Sequence, residues 1–197
     1  MKKLYFILLI FLSSLALSKP VRVELHCRYD LLAKAEEIRK AQVGIHEKTG
    51  NNDGYAIWLY QQSVGIPKGS PYCAAGQYYC FKEAAHVLNL PESEIPIKKT
   101  GLANGIFADA KKRGMQTEYR PQIYDLIVWI KKFGINGHIE SVTKVLPGGW
   151  VETIGFNTSN GSAGSQRDGG GVYYKKRNIY HPLSAMLVNG LVGFRYK

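Results

Sequence analysis

Apolar residues in the N-terminal half of the chain recur at the three- and four-residue spacing of amphipathic helices. The segment that follows Asp30 predicts a first helix, with Asp30 as its N-cap and Gly44 as its stop. A second helix is predicted over GYAIWLYQQSVG, a third begins at or beside Cys73, and a weaker fourth covers about residues 101–113. Polar loops rich in Gly and Pro separate these helices.

After Pro121 the pattern changes to short segments rich in β-branched and aromatic residues between Gly and Asn. These segments predict strands: YDLIVWI, NGHIESVTKVL, GWVETIGFN, GVYYKKRNIY and LVGFRY. Helices followed by antiparallel strands indicate an α+β fold, with N-terminal helices packed on a C-terminal antiparallel sheet. The 197 residues contain no repeat and suit a single domain.

The N-terminus has the pattern of a secretory signal peptide. Lys2 and Lys3 precede the apolar run YFILLIFL and the small residues of SSLALS, which predicts a leader over residues 1–18 and a domain over residues 19–197. The apolar run is shorter than the roughly 20 residues that cross a bilayer, and no later segment is more apolar. We therefore expect an exported protein, periplasmic or extracellular, without a transmembrane segment.

The chain is basic, with a formal charge of +11 that falls to +9 when Lys2 and Lys3 are removed with the leader. In an exported protein this charge favours contact with anionic wall polymers or lipid head groups over nucleic acid. The five histidines lack ligand spacing, and the segment NNDG lacks the acidic residues of a calcium loop. We expect neither a metal nor a cofactor.

The three cysteines, Cys27, Cys73 and Cys80, cannot all pair within one chain. Cys73 and Cys80 lie about 10 Å apart along one helix, which is too far for a disulfide. A disulfide between Cys27 and Cys80 would leave Cys73 free; alternatively, Cys80 is a packed core thiol. Because the first amides of a helix lack partners, Cys73 is placed to form a thiolate and to bind an oxyanion nearby. The alternative is a small buried hydrophobe.

His138 lies on a predicted hairpin that turns at Pro147 and Gly148. A tight turn there places Asn157 opposite His138, where the Asn oxygen could hold one imidazole nitrogen while the other faces a nucleophile. A bulge near the turn would shift the register by one residue. Glu140, on the same face as His138, is then the reserve orienting residue.

These segments, in the same order over about residues 38–161, resemble the CHAP family of cysteine- and histidine-dependent amidohydrolases and peptidases, which cleave bacterial cell walls and are related to the NlpC-type and papain-like enzymes. The matching motifs are EKTGNNDGY, GSPYCAAGQYYC, YDLIVWI, NGHIESV and WVETIGFNTSNG. The resemblance implies Cys73 as nucleophile, His138 as general base and then acid, and Asn157 as orienting residue. The chain departs from the family at Gly155, where many members have an acidic residue, and at Tyr124, where they have Gly.

The resemblance implies a peptidoglycan amide hydrolase, of the peptidase or N-acetylmuramoyl-L-alanine amidase type, that works through a thioester. Tyr72, Asn52 and Asp53 are candidates to line its substrate groove. The absence of an acid at Gly155 supports an alternative, a non-catalytic envelope-binding protein on the same fold. A third hypothesis is an antibacterial toxin or phage lysin, for which an immunity protein would be the partner. The Gly-rich segment 158–171 is expected to be a lid or disordered.

Overall fold

The computed structural model describes residues 20–132, 134–159 and 170–196. The predicted leader and most of the Gly-rich segment lie outside these residues. Within them, the chain forms four α-helices: α1 (Tyr29–Ala41), α2 (Tyr55–Ser63), α3 (Cys73–Val87) and α4 (Ala103–Arg113). All four predicted helices are therefore confirmed. Arg28, and not Asp30, is the N-cap of α1, while the Asp30 carboxylate accepts a hydrogen bond from the next backbone N–H.

The described strands form one seven-stranded sheet in the order β2-β1-β7-β3-β4-β5-β6. Their bounds are β1 (Val21–His26), β2 (Met115–Thr117), β3 (Leu126–Lys131), β4 (Gly137–Val145), β5 (Trp150–Thr158), β6 (Gly171–Asn178) and β7 (Met186–Arg195). The α+β class is confirmed, and β3 to β7 pair antiparallel as predicted. The expectation of a purely antiparallel sheet is wrong, because β1 pairs in parallel with β7. This contact joins the two ends of the domain, which a local pattern does not indicate.

Helix α3 packs on one face of the sheet and brings Cys73 to the strands. Its Phe81 ring lies 5.6 Å from the Phe194 ring of β7, measured between centroids. A side chain at Gly76 would overlap the Phe156 ring, so the glycine lets α3 lie close to β5 one turn after Cys73. Burial of this apolar surface stabilises the position of the helix start. Within the described ranges, no helix is both long and apolar enough to span a membrane.

A buried ion pair ties the N-terminal strand to the centre of the sheet. Arg22 of β1 donates from Nε and Nη2 to the two carboxylate oxygens of Asp125, at 2.8 and 2.9 Å. The guanidinium crosses β7 at Gly193, where any side chain would overlap it. The residue before Asp125 is Tyr124, which has φ of 77°, a left-handed conformation that glycine adopts more easily.

The hairpin of β4 and β5 has the predicted register at its centre, where Glu140 pairs with Gly155 and Val142 with Thr153. A bulge follows Val142, and the turn over residues 147–149 has positive φ at both of its glycines. The sheet therefore fixes which β5 residues lie beside Glu140.

Candidate functional site

Cys73 is the first residue of α3 and lies against the start of β4. Its side chain is mostly buried, and Sγ lies 3.9 Å from the carbonyl oxygen of Gly137. The N-cap residue, Tyr72, makes no side-chain cap hydrogen bond. The first N–H groups of α3 therefore receive no cap from the Tyr72 side chain, and such groups at a helix start favour an anion nearby.

His138 follows Gly137 on β4, and its imidazole lies close enough to Cys73 for the two side chains to interact. The imidazole packs beside the Trp129 ring of the neighbouring strand, with 6.1 Å between the ring centroids. Both His138 and Cys73 are less than a tenth exposed. The helix start and the second strand residue thus bring together the thiol and the imidazole that the sequence analysis singled out.

The other side of the imidazole contacts a carboxylate. Nε2 of His138 lies 3.0 Å from Oε1 of Glu140, which leaves Nδ1 as the ring nitrogen that faces Cys73. Glu140 is fully buried. Thr153 donates to its Oε2 at 2.6 Å, and Arg177 donates from Nε to Oε2 at 2.9 Å and from Nη2 to Oε1 at 2.6 Å. Four donors therefore surround the two oxygens of one buried carboxylate.

Burial opposes the charged forms of both groups, but their hydrogen bonds outweigh it. For His138, burial lowers the pKa, and the interactions with Cys73 and with the Glu140 carboxylate raise it to about 9. For Glu140, burial raises the pKa, and the hydrogen bonds from His138 and Arg177 hold it well below its usual range. At neutral pH the site therefore holds an imidazolium next to a carboxylate.

Gly155 provides the space for this carboxylate. It is the direct cross-strand partner of Glu140, and a Cβ at position 155 would lie 2.8 Å from Oε1 of Glu140. Position 155 is where the resemblance predicts an acid. In this chain a carboxylate does lie beside position 155, but β4 supplies it.

The expectation that Asn157 orients His138 is corrected by this geometry. Pairing between β4 and β5 ends at Glu140 and Gly155, and Asn157 has φ of 53°, which breaks the alternation of side chains along the strand. Nδ2 of Asn157 donates to Oδ1 of Asn52 at 2.7 Å. The reserve residue, Glu140, is the one that contacts the imidazole.

The three residues expected to line a substrate groove have hydrogen bonds that hold a loop. Asn52 contacts Asn157 through its side chain, and its backbone N–H donates to Oε2 of Glu47 at 2.9 Å. The carboxylate of Asp53 accepts two hydrogen bonds from Thr49, which lower its pKa despite some desolvation. Tyr72 is fully buried, and its hydroxyl donates to Oε1 of Glu47 at 3.2 Å. These contacts fix the loop before α2 beside the start of α3.

Sequence reasoning missed Glu47, Thr153 and Arg177. A signal for Thr153 was present, because the register that places Gly155 opposite Glu140 also brings Thr153 to the same face. The sequence contains no comparable signal for Arg177, because β6 follows a long Gly-rich segment and no short turn sets its register on β5.

The other two cysteines are buried thiols. Burial raises the pKa of Cys27 and of Cys80 to about 12 in each case. Both are free, so of the two alternatives for Cys80 the structure has the packed core thiol and not the disulfide with Cys27. Cys80 packs with the Tyr60 and Phe156 rings, whereas Cys27 belongs to the apolar cluster around α1 and α4.

Comparison with models of protein families, with curated proteins and with solved structures found no match. Among the residues that the structure describes, no three His, Cys, Asp or Glu side chains are grouped so that they could hold a metal ion. The thiol of Cys73, the imidazole of His138 and the carboxylate of Glu140 form a connected series. Such a series can activate a nucleophile, transfer its proton and hold the proton carrier in one orientation.

Proposed function

We propose that this protein is an exported cysteine-dependent hydrolase that cleaves amide bonds in bacterial peptidoglycan. The observation that carries the proposal is the position of the His138 imidazole, which interacts with Cys73 at the start of α3 and has its Nε2 atom 3.0 Å from Oε1 of Glu140. The three groups can fill the roles that acyl transfer requires: Cys73 is the nucleophile, His138 the base and Glu140 the carboxylate that orients the base.

In the first half of the reaction, the thiolate of Cys73 attacks the carbonyl carbon of the amide. The N–H groups at the start of α3 stabilise the negative charge that develops on the carbonyl oxygen. The imidazolium of His138 then donates its proton to the leaving nitrogen, the C–N bond breaks, and an amine departs. The acyl group remains on Cys73 as a thioester.

In the second half, His138 is neutral and accepts a proton from water as the water oxygen attacks the thioester carbonyl. The C–S bond breaks, the carboxylic acid product leaves, and the proton taken from water stays on His138, which restores the thiolate and the imidazolium. Glu140 stays ionised throughout and stabilises the imidazolium form of His138, as the carboxylate of a Ser-His-Asp triad does.

The substrate class rests on two supports outside the site. The motifs around Cys73 and His138 resemble those of the CHAP family, whose members cleave cell walls. The net positive charge of the chain also suits an anionic envelope polymer. The chemistry of the site alone supports amide hydrolysis of a wider range of substrates.

The envelope-binding alternative drew on the missing acid at Gly155. That argument loses its force, since the carboxylate of Glu140 lies beside position 155 and contacts His138.

The proposal is tested by incubating purified sacculi with the wild-type protein and with Cys73→Ala, followed by mass spectrometry of the products. We expect soluble fragments from the wild type and none from the variant. Cys80→Ala is the matched control, because Cys80 is buried in a separate apolar cluster, and it should retain activity. Sacculi that bind the wild type without release of any fragment would support the envelope-binding alternative.

The same products identify the bond. Free stem peptides together with glycan strands that lack peptides indicate an amidase. Shortened peptides that stay attached to the sugars indicate a peptidase. Equal product release by Cys73→Ala would contradict the proposed nucleophile.

A further inference from the structure

Arg177 makes the most extensive contact with the carboxylate that faces His138. Its Nε and Nη2 atoms donate to the two different oxygens of Glu140, so the guanidinium and the carboxylate lie edge to edge. This two-point geometry fixes the plane of the carboxylate, which one hydrogen bond does not. Because Oε1 of Glu140 also meets Nε2 of His138, the plane of the carboxylate determines the orientation of the imidazole.

The contact spans a strand. Arg177 lies on β6 and Glu140 on β4, with β5 between them. At the crossing β5 contributes Gly155, which has no side chain, and Thr153, whose hydroxyl donates to Oε2 of Glu140. The middle strand thus leaves room for the contact and adds a donor to it.

We propose that Arg177 is a positioning residue, which holds Glu140 so that His138 directs its other ring nitrogen at Cys73. The proposal rests on the proposed function only in taking Cys73 as the reactive group. Removal of the guanidinium would leave a buried carboxylate with two donors fewer. Such a group moves, or takes up a proton, and in either case it supports the imidazolium less well.

The position of Arg177 permits a chemical rescue experiment. Its side chain is 12% exposed and lines a cavity of about 170 Å³, together with Lys176 and the Trp129 and Trp150 rings. In Arg177→Ala, ethylguanidinium from solution can therefore reach the empty site through this cavity. It carries the same pair of parallel N–H groups, whereas ethylammonium carries a charge without that geometry.

The readout is the rate at which iodoacetamide alkylates Cys73 at pH 7, located by peptide mass spectrometry. The measurement of this alkylation rate requires no peptidoglycan. We expect Arg177→Ala to slow alkylation about tenfold or more, in line with the loss of hydrogen bonds to a charged group. Ethylguanidinium should restore most of the rate, and ethylammonium at the same concentration should not.

Lys176→Ala is the matched control. Lys176 neighbours Arg177 on β6 and lines the same cavity, but its Nζ lies over the Trp150 ring, 5.3 Å from the centroid. Alkylation of this variant should match the wild type and should not respond to ethylguanidinium.

An alkylation rate in Arg177→Ala equal to the wild-type rate would overturn the proposal. A slower rate that ethylguanidinium fails to restore, in a variant with the wild-type circular dichroism spectrum, would also overturn it. If Arg177→Ala does not fold, Arg177→Lys takes its place: it keeps the charge without the fork, and we expect a partial loss of alkylation rate. An unchanged rate would then count against the proposal.

The two proposals fail separately. If Cys73 behaves as expected in the rescue experiment but the wild type leaves sacculi intact, Arg177 keeps its positioning role and the substrate is a different amide. If sacculi are digested equally by the wild type and Arg177→Ala, the hydrolase proposal stands and the positioning role does not.

Discussion

The carboxylate of Glu140 lies where a side chain at position 155 would otherwise be. The two residues are direct partners across β4 and β5, so the glycine on one strand leaves space for the acid on the other. This relationship leads to a first prediction.

In Gly155→Ala, the new methyl group would displace the carboxylate of Glu140, and alkylation of Cys73 by iodoacetamide should slow about tenfold. Gly170→Ala, whose methyl group meets open space, should react like the wild type. Equal rates for both variants would contradict this account.

A second prediction concerns the charge on the imidazole. The charged and titratable groups around His138 are Cys73 from α3, Glu140 from its own strand, and Arg177 and Lys175 from β6. Glu140→Gln removes the only carboxylate of this set, so the pKa of His138 should fall from about 9 toward its ordinary value of 6.5. The measurement is an NMR titration of the His138 ring.

The control for this titration is Glu152→Gln, since Glu152 is 45% exposed and lies toward the turn of the hairpin. It should leave the pKa of His138 unchanged. A His138 pKa that stays near 9 in Glu140→Gln would show that the carboxylate does not stabilise the imidazolium.

A third prediction separates the two candidate orienting residues. Asn157→Gly keeps the left-handed backbone without strain but removes the hydrogen bond to Asn52. We expect a loss of about 1 kcal/mol in the free energy of unfolding, faster hydrogen exchange in residues 47–53, and a Cys73 alkylation rate close to wild type. Glu140→Ala in the same assay should lose most of its reactivity. A loss of reactivity as large in Asn157→Gly would restore Asn157 as the orienting residue.

A fourth prediction is the effect of pH on stability. The pKa of His138 is raised in the folded state, from 6.5 to about 9. Its contribution to stability is therefore complete below pH 6.5 and is lost as the pH rises through about 9. The difference corresponds to about 3 kcal/mol. Denaturant unfolding between these pH values should show this decline in the wild type and not in His138→Gln. Parallel pH profiles for the two proteins would rule out the raised pKa.

The sequence was sufficient for those parts of the site that depend on local chemistry. The loop before Cys73 and the spacing after it predict a helix start, and a turn at Pro147 predicts the pairing of Glu140 with Gly155. The structure reaches this pairing through a bulge after Val142, which offsets a one-residue shift next to the turn. The two-residue period of a strand also places Glu140 on the face of His138. Each of these inferences uses fewer than twenty consecutive residues.

Other parts of the site depend on geometry that the sequence pattern does not contain. The expected contact of Asn157 with His138 assumed regular alternation up to the end of β5, and the positive φ of Asn157 breaks it. The contact of Arg177 requires the register of β6, which follows a Gly-rich segment of no fixed pattern. The parallel pairing of β1 with β7 joins residues that are more than 160 positions apart in sequence.

His138 and Glu140 are two residues apart on a single strand, so the covalent backbone of β4 sets the distance between them. A triad whose acid lay on β5 would depend on the length of the connection between the two strands. In this protein an insertion in the turn over residues 147–149 would leave the imidazole beside its carboxylate. The hairpin tip is therefore a place where related chains can gain or lose residues, and acquire new surface contacts, without separating the base from its acid.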